Sequence, residues 1–222
     1  MPAAPVLGLD LDLTLLDLRS ATSHALRVMN RRCGERVDAD AVLADLGVPF
    51  RRQLGAWIAP ERLEACLAAF AGAFLTEALD LVTPMPGAAE LLGAVTRLGG
   101  RSVVITGRST KTATACLARC GLPVPVAAGG VTGLGKSPAM IANGLAGYVG
   151  DHPLDMAGAT AASVPGIGVL TGSHRAEQLV GAGGAAVVPS LLDLADWLTR
   201  RSPGTAAADP GRPRSAQGDA HE

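Results

Sequence analysis

Long apolar runs are missing from this chain of 222 residues, and no uninterrupted stretch approaches the length of a membrane span. A net charge of −1 leaves no basic or acidic excess, so neither nucleic acid nor an anionic membrane is expected as the main partner. Cysteine is scarce: Cys33, Cys66, Cys116 and Cys120 form no C-x-x-C pair, which argues against a zinc site. Cys116 and Cys120 stand four apart on an expected helix beside Ala113 and Leu117, a pattern of plain core packing. A reduced, cytoplasmic setting follows as the default expectation. The N-terminus has no basic segment, and Asp10 and Asp12 break its apolar run, so no signal peptide is expected. Lysine is the scarcest charge. Only Lys111 and Lys136 occur among nineteen Lys and Arg residues.

What is present suits a compact α/β protein: 48% hydrophobic residues, in a chain long enough for one large domain or a core with a smaller insert. From Ser20 to Leu81 only helical patterns occur. Ala21, Ala25, Val28 and Met29 make one apolar stripe, and Asp38 or Asp40 is placed to cap a helix running to Leu46, stopped by Gly47. Leu63, Cys66, Leu67, Phe70 and Phe74 follow helical spacing after Pro60. From Pro84 strands and helices alternate. Helices are expected over Ala88–Leu98 and up to Cys120, the latter capped by Ser109 or Thr110. Strands are expected at Val103–Thr106, Val124–Ala128, Ala146–Gly150, Ile167–Leu170 and Ala186–Val188. That alternation predicts a parallel, doubly wound sheet. Residues 201–222 lack large apolar side chains and are expected to be a disordered tail.

The most informative stretch is Val6 to Asp17. The apolar run Val6–Leu9 reads as a buried strand ending in Asp10 and Asp12, with Thr14 two residues on. Parallel sheets place ligands at such strand ends. Two carboxylates at i and i+2 there can share a metal ion, or divide nucleophilic and acid/base work. The bland alternative is a strand followed by a polar turn.

Three later segments weigh against the bland reading. Val103-Val104-Ile105-Thr106-Gly107 is a second apolar run, ending in a hydroxyl and a glycine. Lys136 stands in a glycine-rich turn, Gly133-Leu134-Gly135-Lys136-Ser137-Pro138. Tyr148-Val149-Gly150-Asp151 is followed by Asp155 four residues later. In this order the four segments resemble the signature of the haloacid dehalogenase (HAD) superfamily of aspartate-nucleophile phosphatases. The resemblance runs over about residues 5 to 199, and Met156 to Gly172 is similar to the phosphoglycolate-phosphatase-like branch.

The resemblance implies a Rossmann-like doubly wound core of residues 1–18 and 83–200, with an all-helical cap inserted over 19–82. It implies Asp10 as nucleophile, forming an aspartyl phosphate, and Asp12 as the acid/base. It implies Thr106, Gly107 and Lys136 on the transferring phosphoryl group. A Mg²⁺ ion would be held by Asp10, the Asp12 carbonyl and Asp151, with Asp155 direct or through water. The expected reaction is hydrolysis of a small phosphorylated metabolite, with phosphoglycolate a guess by branch. Leu13 stands where the family most often has glycine, and the segment from Lys136 to Asp151 is shorter than in many relatives, so the reach of Lys136 is the point to check.

Other residues have weaker roles. Arg51 and Arg52 are candidates for a substrate carboxylate or second phosphate. His152 is a candidate for the metal's water shell, and Asp17 resembles a position near the cap hinge. Gly130 to Ser137 also satisfies the P-loop pattern, but Pro138 interrupts the run where a long helix should start. A dehalogenase is disfavoured because the second aspartate is needed only when a leaving oxygen must be protonated. A phosphomutase and a non-catalytic binding protein of the same fold stay open.

Overall fold

A computed structural model describes residues 4–200. The expected disordered tail over 201–222 lies outside the described residues.

Six parallel strands form the central sheet in the order β5-β4-β1-β6-β7-β8. They are β1 (Val6–Leu9), β4 (Arg101–Thr106), β5 (Val126–Gly129), β6 (Leu145–Gly150), β7 (Gly166–Val169) and β8 (Gly184–Val188). Helices α5 (Ala88–Arg97), α6 (Thr110–Arg119), α7 (Ser137–Ala142), α8 (Pro153–Ala161), α9 (Ala176–Gly181) and α10 (Leu191–Arg200) make the crossovers and flank the sheet. The central strands are apolar almost throughout because helices cover both faces: Leu9, Val104, Ile105, Tyr148 and Val149 are fully buried. β1 pairs with β4 on one side and β6 on the other, with Leu9 level with both Val104 and Val149. The C-terminal tips of these three strands therefore lie side by side. The chain builds outward through β4 and β5, then crosses back to β6, and a ligand crevice opens where the winding reverses.

Between Asp17 and Thr83 the chain leaves the sheet. Two short strands, β2 (Leu16–Asp17) and β3 (Thr83–Pro84), pair antiparallel at this junction. The inserted segment is helical: α1 (Arg19–Cys33), α2 (Ala39–Leu43), α3 (Phe50–Leu54) and α4 (Pro60–Ala73), the last running into a wider π-turn over Phe74–Ala78. α1 buries Ala21, Ala25, Val28 and Met29, the stripe read from the sequence. Together these elements form an α/β fold with an inserted helical cap.

Two element bounds differ from expectation in an informative way. α2 is capped by Asp38, whose carboxylate accepts from the Asp40 and Ala41 amides, but it ends at Leu43 rather than Leu46. Beyond it, Gln53 donates to the Asp45 carbonyl and the Asp45 carboxylate turns to the core, so the backbone leaves the helix early. β5 starts at Val126, not Val124, because Pro125 has no N–H to pair. Of the two expected caps of α6, Ser109 takes the role by accepting from the Thr112 amide.

Candidate active site

The turn after β1 carries the first pair of aspartates. The Leu15 and Leu16 amides both donate to the Leu11 carbonyl, and the Leu13 amide donates to Leu16. This tight loop puts Leu13 at φ +56°, a left-handed conformation that favours glycine. Glycine would adopt this conformation without strain. Leu13 is buried and is not among the residues lining the crevice, so it does not narrow it.

Lys136 reaches the centre of the site. Its Nζ donates to Asp10 Oδ1 and to Asp155 Oδ1, both at 2.6 Å, and to the Tyr148 hydroxyl at 2.9 Å. Tyr148, the single tyrosine of the chain, donates in turn to the Ile105 carbonyl and fixes the ammonium between strand tips. Burial alone would lower the Lys136 pKa, but Asp10 and Asp155 outweigh it and hold it well above the ordinary value. The short segment to Asp151 suffices.

Asp10, Asp151 and Asp155 are all buried, and one oxygen from each lies within 4.8 Å of the others. Burial raises Asp151 well above its usual range, with Asp10 and Asp155 adding to the effect against the Thr14 hydroxyl, which donates to it at 2.9 Å. Burial likewise pushes Asp10 up to about 7, partly opposed by Lys136 and reinforced by Asp155 and Asp12. Three carboxylates against one ammonium leave an excess of negative charge in an oxygen-only pocket, the donor set of a hard divalent cation. The backbone packs closely on one of these carboxylates: a Cβ at Gly172 would collide with Asp151.

Asp12 is held differently. Arg108 grips it through Nε (2.8 Å) and Nη2 (2.7 Å), donates also to Thr22, and lies 4.6 Å over the Phe74 ring. The Asp12 carboxylate thus sits on the insert side of the crevice. Thr106 is fully buried, its hydroxyl accepts from the Arg108 amide, and Gly107 lines the crevice.

The insert touches the core at His152. Its Nδ1 accepts from the Leu154 amide, so Nε2 carries the proton and donates to Asp45 at 2.8 Å. A Cβ at Gly47 would run into the His152 ring, so the loop before α3 packs directly on it. His174 stands edge-on to His152 at 4.3 Å, and burial followed by the neighbouring His152 lowers its pKa. Asp45, His152 and His174 cluster closely enough to suggest a metal, but the Nε2 proton directed at Asp45 makes the contact a hydrogen bond.

Arg51 and Arg52 lie elsewhere. Arg51 pairs with exposed Glu64, and neither lines the crevice. Asp17 pairs with Arg19 at the start of α1, and this partner's hydrogen bonds lower its pKa despite partial burial. Reading the sequence missed Arg108, Thr14 as an Asp151 donor, Tyr148 and Asp45. Only Arg108 carried a local signal, as the cation directly after Thr106-Gly107 at a strand tip.

No family model matches the sequence. The chain is 32% identical over 154 residues to a phosphoglycolate phosphatase of Rhodospirillum rubrum, and it spans 64% of the length of that curated relative. The match takes in 64% of this chain. A haloacid dehalogenase-like family hydrolase of Streptococcus pneumoniae shares the fold, with a TM-score of 0.76 at 15% identity, over 89% of this chain and 99% of its own. The chain thus shares the fold of a haloacid dehalogenase-like hydrolase. CbbY of Rhodobacter sphaeroides, solved in complex with phosphate, has the same fold: TM-score 0.71, 17% identity, 86% of this chain and 96% of its own. The structural likenesses show the fold, and function has to be argued from the site itself.

Proposed function

We propose that the protein is a Mg²⁺-dependent phosphatase that hydrolyses a small phosphomonoester through an aspartyl phosphate on Asp10. The observation that carries this reading is the Lys136 ammonium held between Asp10 and Asp155, with Asp151 beside them and Thr106 and Gly107 on the adjacent strand tip. The Lys136 ammonium and a bound cation would keep Asp10 ionised against the effect of its burial, and the carboxylate then attacks phosphorus directly without a separate base. The phosphorus–oxygen ester bond breaks, and protonated Asp12 gives its proton to the leaving oxygen. Asp12 then takes a proton from a water molecule, which attacks the aspartyl phosphate and releases inorganic phosphate. Lys136, Thr106 and the Gly107 amide stabilise the phosphoryl oxygens as charge builds on them. Asp10, Asp151, Asp155 and the Asp12 carbonyl would hold Mg²⁺, which when bound offsets repulsion between these carboxylates and an incoming phosphate.

The helical insert, residues 19–82, serves in this reading as the cap that shuts the site from water over a core of 1–18 and 83–200. Arg108 keeps Asp12 at the boundary between the two, where a leaving group would lie. The relative's name makes phosphoglycolate one candidate substrate. Four free thiols fit a reducing, cytoplasmic setting, and among the described residues no helix is long and apolar enough to cross a membrane. The test is phosphate release from an aryl phosphate, with and without Mg²⁺, by the wild type and by Asp10→Asn. Metal-dependent turnover that vanishes in the variant is expected. Equal inertness of two folded proteins across a panel of phosphorylated metabolites would overturn the reading.

A further inference from the structure

The crevice between insert and core has a volume of about 280 Å³, and its two sides differ in kind. From the core come mainly polar groups, namely carboxylates, Lys136, Arg108, His152 and hydroxyls, with Leu154 the one large apolar side chain. From the insert come Leu46, Val48, Phe50, Leu67, Phe70 and Phe74, and no insert residue lining it has a polar side chain. The chain is poor in aromatics (3%), yet all three of its phenylalanines stand on this wall. Phe50 and Phe70 lie 4.3 Å apart between ring centroids, and Phe70 and Phe74 6.0 Å, forming one continuous face. Both cations lining the crevice are already engaged: Arg108 by Asp12, and Lys136 by Asp10 and Asp155.

We propose that the substrate is a phosphomonoester whose non-phosphate part is an apolar body, an alkyl, alkenyl or aryl group, rather than a carboxylate or sugar. This rests on the phosphatase reading and narrows it. With the phosphate on the core side, the rest of the ester must lie along the insert wall. A carboxylate or a row of hydroxyls there would lose its water without gaining partners. A methylene there gains the free energy of leaving water, worth about a fourfold change in affinity for each one buried.

The experiment compares kcat/KM of the full chain with Mg²⁺ for ethyl, propyl, butyl and phenyl phosphate, against phosphoglycolate and glycerol 3-phosphate. In parallel, calorimetry measures binding of butylphosphonate and of phosphonoacetate, which needs no turnover. Expected are a rise of about fourfold per methylene, a propyl ester better than its near-isostere phosphoglycolate, and butylphosphonate bound more tightly than phosphonoacetate. Leu67→Asn, at a half-buried position on the wall, is expected to flatten the chain-length series. A flat series in the wild type, or phosphoglycolate ahead of propyl phosphate, would overturn the substrate class and leave the phosphatase intact. Absence of turnover on every ester, with the binding preference kept, would sink the phosphatase reading and leave the apolar wall standing. Equal or reversed binding of the two phosphonates would remove the wall's role.

Discussion

The two sides of the crevice are built by different means. On the core side, Asp10, Thr106 and Asp151 stand at or just beyond strand tips, and backbone pairing sets their positions: Leu9 is level with Val104 and Val149, and the three follow within two residues. On the insert side nothing is placed by a sheet. Apolar side chains spread over α3, α4 and the loop before α3 make a surface by packing on one another. The first arrangement is rigid and, in the proposed reading, serves phosphoryl transfer. The second can change residue by residue without disturbing the sheet, and it suits specificity.

Breaking the core side should have the largest effect. Lys136→Met removes the ammonium that two buried carboxylates share. Loss of one such electrostatic contact should lower kcat by about 10²–10³-fold. The same change strands Asp10 and Asp155, and chemical denaturation of the metal-free protein should show a loss of about 3–5 kcal/mol. Lys136→Arg should not rescue activity, because a planar guanidinium does not fit where a compact charge meets three oxygens.

On the insert side, Phe74→Ala opens a cavity beneath Arg108. Phe74 is fully buried, so about 3–5 kcal/mol of stability should be lost. Activity on a very small ester should suffer less than with Lys136→Met, since no group touching phosphate is removed. A larger loss of kcat than of stability would show that the wall holds Asp12 in place through Arg108.

Asp151 separates charge from packing. Its pKa is raised in the metal-free fold, so its ionisation costs stability above the unfolded-chain value of about 3.9 and costs nothing below it. Asp151→Asn keeps an oxygen for the Thr14 hydroxyl and removes the charge. Thermal melts without metal should therefore show a higher Tm for the variant at neutral pH, the gain shrinking toward about pH 4. Added Mg²⁺ should raise the Tm of the wild type and much less that of the variant.

The smallest effect concerns Leu13. Leu13→Gly and Leu13→Ala both lose a buried side chain, but only glycine relieves the φ of +56°. The glycine variant should be the more stable of the two by about 1 kcal/mol in urea unfolding.

Much of the core side was legible in the sequence because its positions are local. An apolar run followed by an aspartate, or by Thr106-Gly107, names a strand tip without knowledge of the rest of the fold. What joins those tips was not legible. Thr14 to Asp151, Arg108 to Asp12 and Asp45 to His152 span 137, 96 and 107 residues, and no periodicity reports on such pairs. Arg51 and Arg52 show the converse failure. Two arginines beside a loop look like an anion site, yet the α3 backbone turns them outward while Phe50 faces the crevice. The expected helix to Leu46 failed for a related reason, since contacts made by Asp45 with His152 and Gln53 override local propensity. The insert's apolar stripes were visible as helix faces, but which of their residues face the core crevice depends on how the helices pack.

The central claim is that Asp10 carries the phosphoryl group, and the most direct measurement is to trap it there. The protein is mixed with Mg²⁺ and an aryl phosphate, quenched in acid within one turnover, digested, and its peptides weighed. A phosphoryl group on the peptide containing Asp10, absent from Asp10→Asn and cleared as turnover completes, is the predicted result. Turnover that proceeds with no phosphoryl group on that peptide, or that persists in Asp10→Asn, would contradict it.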